Sequence, residues 1–285
     1  MSTDTLTSPT VTEPHDNPPT DDVRVTFPRV VRSEWIKFRT LRSTIWTLGI
    51  MLLLMVGIVT LFSGILASQG TQRGGPTSID VFAIAASLAS LAVVVLGVLV
   101  ITGEYSTGMI RSTLAAVPRR LPALWAKGLV LALSILIVSA IAVVISLGVM
   151  QLFLGAKGLA PDLGNAETVR ILAGVPPYLT GIALLAFAIG ALLRHSAGAL
   201  ATVLGLLLVV ENLFMIPWKP LQHISPFLPG TAGGKLLMTQ AQLDAMTQGS
   251  AVGAVLTPWQ GYAVLLAWGA VLLTAAAVLL KRRNA

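Results

Sequence analysis

The chain has 285 residues, of which 55% are apolar and only 11% are charged, and its mean hydropathy is +0.83. These values exclude an ordinary soluble domain and predict an all-α integral membrane protein. The net charge of +7 comes from basic residues that flank apolar segments and form no continuous tract, which argues against nucleic acid as a partner. The absence of cysteine excludes disulfides and thiolate chemistry.

The first 28 residues differ in composition from the rest of the chain. They contain five acidic residues, several prolines and few apolar residues, so we expect a disordered acidic tail over 1–28. A cleaved secretory signal would need a basic start and an early apolar core, whereas the first apolar run begins near Ile45. Residues 29–283 are predicted to form a single membrane domain.

Six apolar segments in this domain are long enough to cross a hydrocarbon layer, which takes roughly 20 helical residues. The predicted spans are 45–67, 81–101, 123–154, 171–193, 197–216 and 261–280. Lys127, near the start of the third span, is interpreted as a marker of the membrane boundary. Glu211, near the end of the fifth, either caps an outer vestibule or lies among lipid headgroups, and the nearby Asn212 and Pro217 favour the headgroups.

The distribution of basic residues predicts the orientation of the spans. Fourteen of the 19 lysines and arginines fall on one side, which comprises both termini, the connection at 103–122 and the turn at 194–195. Basic residues are concentrated in cytoplasmic connections. We therefore expect a multi-pass protein of the cytoplasmic membrane with both its N-terminus and its C-terminus in the cytoplasm.

No motif for catalysis or nucleotide binding is complete in this chain. The segment GTAGGKLL at 230–237 lacks the first glycine of a phosphate-binding loop, and no serine or threonine follows Lys235. Ser196 adjoins His195, but adjacent helical side chains diverge by about 100° and cannot form a nucleophile–base pair. We therefore expect that the chain is not an enzyme and that it binds no metal or cofactor.

The segment GEYSTGMIRSTLAAVPRR at 103–120 connects the second and third predicted spans. Ile110, Leu114 and Val117 have the spacing of one helical face, and Pro118 ends the pattern. This pattern predicts a short amphipathic helix with a charged face. On charge alone, a connector that contacts lipid phosphates is favoured over a docking surface for a protein.

A second amphipathic stretch, VRSEWIKFRTLRSTIWTL at 31–48, precedes the first span. Val31, Trp35 and Phe38 share a helical face that basic residues surround, although Arg42 projects near the same face. The pattern predicts an interfacial elbow helix before span one.

Together, these stretches resemble the permease subunits of type-two ABC exporters, especially the six-span permeases of high-GC Gram-positive bacteria. The resemblance covers 29–283 and includes LWAKGLV at the third span and HISPFLPG in the last outer loop. It implies that the helix between spans two and three is a coupling helix, which fits into a groove of a separate ATPase subunit. With this resemblance added, the docking interpretation is favoured over the lipid connector.

The resemblance also implies roles for individual residues. The ATPase-coupling residues would be Glu104 and Tyr105 at the end of span two, Arg111 and Thr113 on the coupling helix, and Pro118, Arg119 and Arg120 at its close. The elbow-helix residues would be Trp35, Lys37 and Arg39. Glu104 needs a partner for its carboxylate, and Arg39 and Arg111 are the candidates. The two closing arginines could equally be plain membrane anchors.

The resemblance implies a complete exporter of two permease copies and two ATPase subunits, with ATP and Mg²⁺ on the ATPase alone. Because no charge falls in the middle of a predicted span, we expect a hydrophobic or amphiphilic substrate. The outer loop with Trp218 would form short re-entrant helices that close the exit. The alternatives are a secondary transporter, which would need ionisable groups at mid-membrane, and a membrane anchor or immunity subunit without transport activity.

Overall fold

The computed structural model describes residues 26–70, 75–108, 120–214, 223–249 and 256–282. Within these residues the prediction of six membrane-spanning helices is confirmed, because six helices are long and apolar enough to cross a membrane. The acidic tail up to residue 25 lies outside the described residues, as do 109–119, with Arg111, Thr113, Pro118 and Arg119, and 215–222, with Trp218.

Helices make up most of the described chain. In chain order they are α1 (Phe27–Thr40), α2 (Arg42–Gln69), α3 (Asp80–Ser106), α4 (Arg120–Leu154), α5 (Ala166–Leu193), α6 (Ser196–Leu204), α7 (Pro229–Gly234), α8 (Gln240–Gly249) and α9 (Pro258–Arg282). The helix α6 continues as a π-helix, Gly205–Val210, and a last α-helical turn, Glu211–Leu213. The six spans are therefore α2, α3, α4, α5, the extended α6 and α9.

Most of these helices are longer than the apolar segments that predict them. The third, for example, begins at Arg120 and not at 123, and the fourth begins at Ala166 and not at 171. Hydropathy detects only the part of a helix that suits hydrocarbon, whereas polar residues can continue its backbone hydrogen bonds into the interface. The predicted spans are thus confirmed in number and position. Five of them extend beyond the predicted ends, whereas the fifth ends at Leu213 and residues 215–216 lie outside the described residues.

The helix α1 is separated from α2 by Leu41, whose extended backbone (φ −73°, ψ 118°) interrupts the helical hydrogen bonds. The expected continuous stretch at 31–48 is thus divided between two helices. Val30, Glu34 and Phe38, spaced four residues apart, are buried against the bundle, whereas Trp35 is 41% exposed. The buried face of α1 is therefore rotated from the face that the apolar residues predict. Glu34, and not an apolar residue, lies at the centre of the contact.

The core of the bundle is formed by α3 and α5, whose close contact depends on small residues. A Cβ atom added at Gly97 would lie 2.6 Å from the carbonyl oxygen of Ala183, and one added at Gly190 would lie 2.8 Å from Cγ2 of Ile101. The contact at Gly97 is with backbone, so glycine is required there, whereas a side chain at 190 would force Ile101 to shift. Gly97 and Gly190 therefore allow α3 and α5 to approach closely.

The two ends of the bundle are distinguished by their contacts. At one end, called here the α1 end, α1 packs against α4, and its Lys37 pairs with Glu104 near the end of α3. At the same end the guanidinium of Arg194 after α5 lies 5.3 Å from the ring centre of Tyr105. At the other, called the far end, Lys157 after α4 donates a hydrogen bond to the carbonyl of Ala67 in α2. The spans therefore alternate in direction.

Short helical segments lie at the far end, between α6 and α9. A 3₁₀ turn (Ser225–Phe227) leads into α7, and a second one (Lys235–Leu237) follows it before α8. The guanidinium of Arg170 on α5 donates to the carbonyls of Leu236 (2.9 Å) and Met238 (2.7 Å). These bonds satisfy carbonyls that the 3₁₀ turn leaves without a helical donor. The segment is thus fixed against α5.

Candidate functional site: a buried charge cluster at the α1 end

Four charged side chains meet where α1 packs against α3 and α4. Glu34 and Lys37 come from successive turns of α1, Glu104 comes from the last turns of α3, and Lys127 comes from the second turn of α4. We call these four residues the charge cluster. Two carboxylates and two ammonium groups give it a formal charge of zero.

The ammonium of Lys127 is the centre of the charge cluster. Its Nζ donates to Oε2 of Glu34 at 2.5 Å and to Oε1 of Glu104 at 2.8 Å. The Nζ of Lys37 donates to Oε1 of Glu34 at 2.8 Å and lies 3.5 Å from Oε1 of Glu104. Two cations thus bridge the same two carboxylates, and three helices are joined through them.

The charge cluster is largely shielded from solvent. Glu34 is 3% exposed, Lys127 6% and Glu104 8%, whereas the side chain of Lys37 keeps 31% of its surface. Lys37 therefore forms the outer rim of the charge cluster. Charged groups that are taken out of water remain stable only when they are paired and hydrogen-bonded, so each member depends on the others.

Attraction between the opposite charges outweighs the effect of burial on the pKa values of Glu34 and Lys37. Burial by itself would raise the pKa of Glu34, but the charge of Lys127 and the hydrogen bonds from both lysines hold that pKa below its ordinary value. Burial would lower the pKa of Lys37, and the hydrogen bonds and charges of Glu34 and Glu104 raise it instead. Both side chains are therefore charged at neutral pH.

Local packing explains why these side chains converge. On α1, the apolar Val30 and Phe38 lie one turn before and one turn after Glu34 and are buried on the same face. On α4, Ala123 and Leu131 lie one turn before and one turn after Lys127 and are also buried. The apolar contacts hold α1 against α4, and this packing brings Glu34 to Lys127.

One atom of the charge cluster has no hydrogen bond. Oε2 of Glu104 is buried, and no donor to it is found in the part of the chain that the structure describes. A buried acceptor without a donor costs about 1–3 kcal/mol. A cavity of about 310 Å³ lies beside the charge cluster, and all four members of the cluster line it together with apolar side chains of α1, α3 and α4.

The structure brings together only some of the residues that the sequence singled out. Glu104 and Lys37 are in the charge cluster, and Tyr105 contacts Arg194. Trp35 and Arg39 are exposed on α1, so Arg39 is not the partner of Glu104. Arg111, the other candidate partner, lies with Thr113, Pro118 and Arg119 outside the described residues, and of Arg120 only the backbone at the start of α4 is described.

Two members of the charge cluster, Glu34 and Lys127, were not expected there from sequence. Lys127 was interpreted only as a boundary marker, and Glu34 was not singled out at all. The signal was available: an acid and a base three residues apart on an amphipathic helix, and a lysine inside an apolar segment that must find a counterion. Neither observation by itself identifies the partner helix.

Glu211 provides a second correction, at the far end. It is 6% exposed and accepts hydrogen bonds from the backbone N–H of Gly230 (2.6 Å) and from the hydroxyl of Thr231 (2.9 Å). The expectation that Glu211 lies among lipid headgroups is therefore wrong. Its carboxylate satisfies donors at the start of α7, because the chain after α6 folds back over it.

No protein-family model matches the chain, and a comparison with curated proteins finds no significant match.

Proposed function

We propose that the chain is the membrane-spanning permease subunit of an ATP-driven exporter of the type-two ABC kind. A separate ATPase subunit would bind ATP and Mg²⁺, two copies of the permease would complete the transporter, and the substrate would be hydrophobic or amphiphilic. One observation carries this proposal. The charge cluster joins Glu104, near the start of the 103–120 segment, and Lys127, on the helix that follows the segment, to the single helix α1.

This arrangement suits a coupling role for the 103–120 segment. A displacement that a partner imposes on the segment acts on the ends of α3 and α4 at the same time. Because the carboxylates and ammonium groups are paired and buried, separating any one of them would leave a charge without its partner. The three helices α1, α3 and α4 would therefore move as a unit, with α1 as the brace against the membrane surface.

The distribution of basic residues supports a cytoplasmic position for the α1 end. Among the described residues, most lysines and arginines lie at the α1 end, which favours the cytoplasm on that side. An ATPase that uses cytoplasmic ATP would approach from this side. The α1 end would then be the docking side, and the short helices α7 and α8 at the far end would close the outer exit.

The proposal is tested by purifying the tagged chain from its native membrane in mild detergent and measuring the mass of the complex. We expect a soluble ATP-binding subunit in a 1:1 ratio with the permease. The double variant Arg119→Glu/Arg120→Glu should lose this subunit. The control Lys281→Glu/Arg282→Glu makes the same charge change at the end of α9, on the same side of the membrane, and should retain it.

A chain that is recovered alone, even after cross-linking, would exclude an ATPase-coupled permease. Equal loss in both double variants would show that the net charge of this side, and not the 103–120 segment, holds the partner. In the first case the remaining readings are a secondary transporter or a membrane anchor without transport activity.

A further inference from the structure

We infer that an apolar groove beside α1 binds a phospholipid of net negative charge from the membrane leaflet at the α1 end. The groove has a volume of about 170 Å³ and lies where α1 and the first turns of α2 pack against α4. We call it the α1–α4 groove. It shares only Phe38 with the cavity beside the charge cluster. This inference does not depend on the ATP-driven function, because the chain by itself forms the whole groove.

Apolar side chains form the walls of the α1–α4 groove. They are Trp35 and Phe38 of α1, Ile45 and Leu48 of α2, and Ile137 and Val138 of α4. Thr44 and Ser134 also lie in the walls, but both are buried and neither presents a polar atom to the groove. Arg39 contributes only the aliphatic part of its side chain. Such a surface favours hydrocarbon over a polar ligand.

The α1–α4 groove opens toward the lipid. Ile45 is 59% exposed and Ile137 54%, although both belong to spans that hydrocarbon surrounds. Ser134 lies seven residues after Lys127 on α4, which places it about 10 Å further along the helix. The groove therefore extends from near the level of the charge cluster into the membrane. Its volume is below that of an enclosed small-molecule site, roughly 300 Å³, and suits part of one acyl chain.

The exposed charge around the α1–α4 groove is positive. Glu34 is the only acid within 26–70, and it is buried and paired with Lys37 and Lys127. Among the described residues the other acid at the α1 end is Glu104, which is buried in the same charge cluster. The exposed charged residues of α1 and the start of α2 are Arg29, Arg32, Arg39 and Arg42. Exposed arginines without an exposed carboxylate attract anionic headgroups.

Arg39 links this positive charge to the α1–α4 groove. Its stem lines the groove and the residue is exposed, so its guanidinium lies at the rim. A phosphate joined to a chain in the groove would lie at the same rim, and guanidinium binds phosphate through two parallel N–H donors. Trp35, one turn earlier, also lines the groove, and indole rings favour the headgroup level. A zwitterionic lipid carries the same phosphate, but its own cation offsets the attraction.

The charge selectivity is tested by native mass spectrometry of the full chain, purified in an uncharged detergent and titrated with dioleoylphosphatidylglycerol. We expect one molecule to bind more tightly than the rest, and dioleoylphosphatidylcholine to bind more weakly. Arg39→Gln should weaken the tight binding about fivefold, the effect of losing one arginine at a membrane surface. Arg32→Gln removes an exposed arginine of the same helix that does not line the groove, and it should bind nearly as the parent does.

A second pair of variants tests the position of the acyl chain. Ile137 forms the outer wall of the α1–α4 groove on α4, so Ile137→Trp should fill the groove and abolish the tight binding. Ile141 lies one turn further along α4, is 48% exposed and does not line the groove. Ile141→Trp is therefore the matched control, and it should retain the tight binding.

Three results would overturn the inference. Equal binding of the two phospholipids would show that net negative charge is not selected. Equal weakening by Arg32→Gln and Arg39→Gln would show that the charge of α1 as a whole, and not Arg39 at the groove, attracts the lipid. Tight binding that persists in Ile137→Trp would place the chain elsewhere, and a lipid-free dimer that the same variant dissociates would show that a second copy occupies the groove.

Discussion

The two ends of this bundle use different kinds of polar contact. At the α1 end, four charged side chains pair with one another across three helices. At the far end, Arg170 and Glu211 bond mainly to the backbone and to the hydroxyl of a short returning segment. The first arrangement joins whole helices, whereas the second fixes a loop.

This difference predicts how each end responds to a mutation. Removing one ion from the charge cluster leaves opposite charges buried and affects three helices at once. Removing a side chain at the far end frees a few backbone groups in one segment. The α1 end should therefore fail globally and the far end locally, which suits a brace at one end and a closure at the other.

The largest effect should follow from Lys127→Met. This change leaves Glu34 and Glu104 buried with Lys37 as their only cation in the charge cluster, and the loss of a partner in a buried ion pair costs roughly 3–5 kcal/mol. Thermal unfolding in mild detergent should show a large fall in Tm. The control Lys281→Met removes an exposed lysine at the end of α9, outside the charge cluster, and should change Tm little. Similar Tm values for the two variants would contradict the comparison.

A smaller and more local effect is expected for Arg170→Met. The carbonyls of Leu236 and Met238 lose their charged donor, but both bonds are only part-buried and water can replace the donor, so the total loss should be about 1.5–3 kcal/mol. Hydrogen exchange should accelerate over 235–249, while α1 and the start of α4 keep the parental protection. Faster exchange at the α1 end as well would show that the two ends are not independent.

The pH dependence of stability should report on the charge cluster. The pKa of Glu34 lies below its ordinary value of 4.5, so its contribution is fully present above that pH and is lost as the pH falls through the folded-state pKa. The Tm difference between the parent and Glu34→Gln should thus be constant from about pH 6 to 8 and shrink in acid. A difference that grows in acid would reverse the assigned sign.

The smallest effect should be a gain in stability, from Lys235→Met at the far end. Lys235 is 7% exposed, and burial lowers its pKa with no opposing attraction from a carboxylate among the described residues. The folded state therefore holds an unfavourable cation, and an apolar side chain of similar length should stabilise it by roughly 1 kcal/mol. The gain should disappear as the pH rises above the ordinary lysine value of 10.5. Destabilisation at neutral pH would mean that the ammonium has a stabilising partner.

The six spans could be predicted from sequence because crossing a membrane requires long apolar helices, and hydropathy measures that property directly. This inference uses the local sequence alone.

The charge cluster and the position of Glu211 could not be predicted in this way. Which face of α1 packs on the bundle depends on the break at Leu41, and the pairing of Glu34 with Lys127 joins residues 93 positions apart. The burial of Glu211 depends on a chain reversal that brings Gly230 back over it. Both features arise from tertiary packing, which local patterns of charge and hydropathy do not contain.

Direct contact with an ATPase at the α1 end is the central claim of this account. The chain has no native cysteine, so a single cysteine at Thr107, which is exposed after α3, can carry a photoreactive cross-linker. A cysteine at Asp162, exposed at the far end, is the control. After irradiation in native membranes, we predict an adduct with a soluble ATP-binding protein from position 107 and none from 162. An adduct from 162 alone, or no ATP-binding adduct from either position, would contradict the claim.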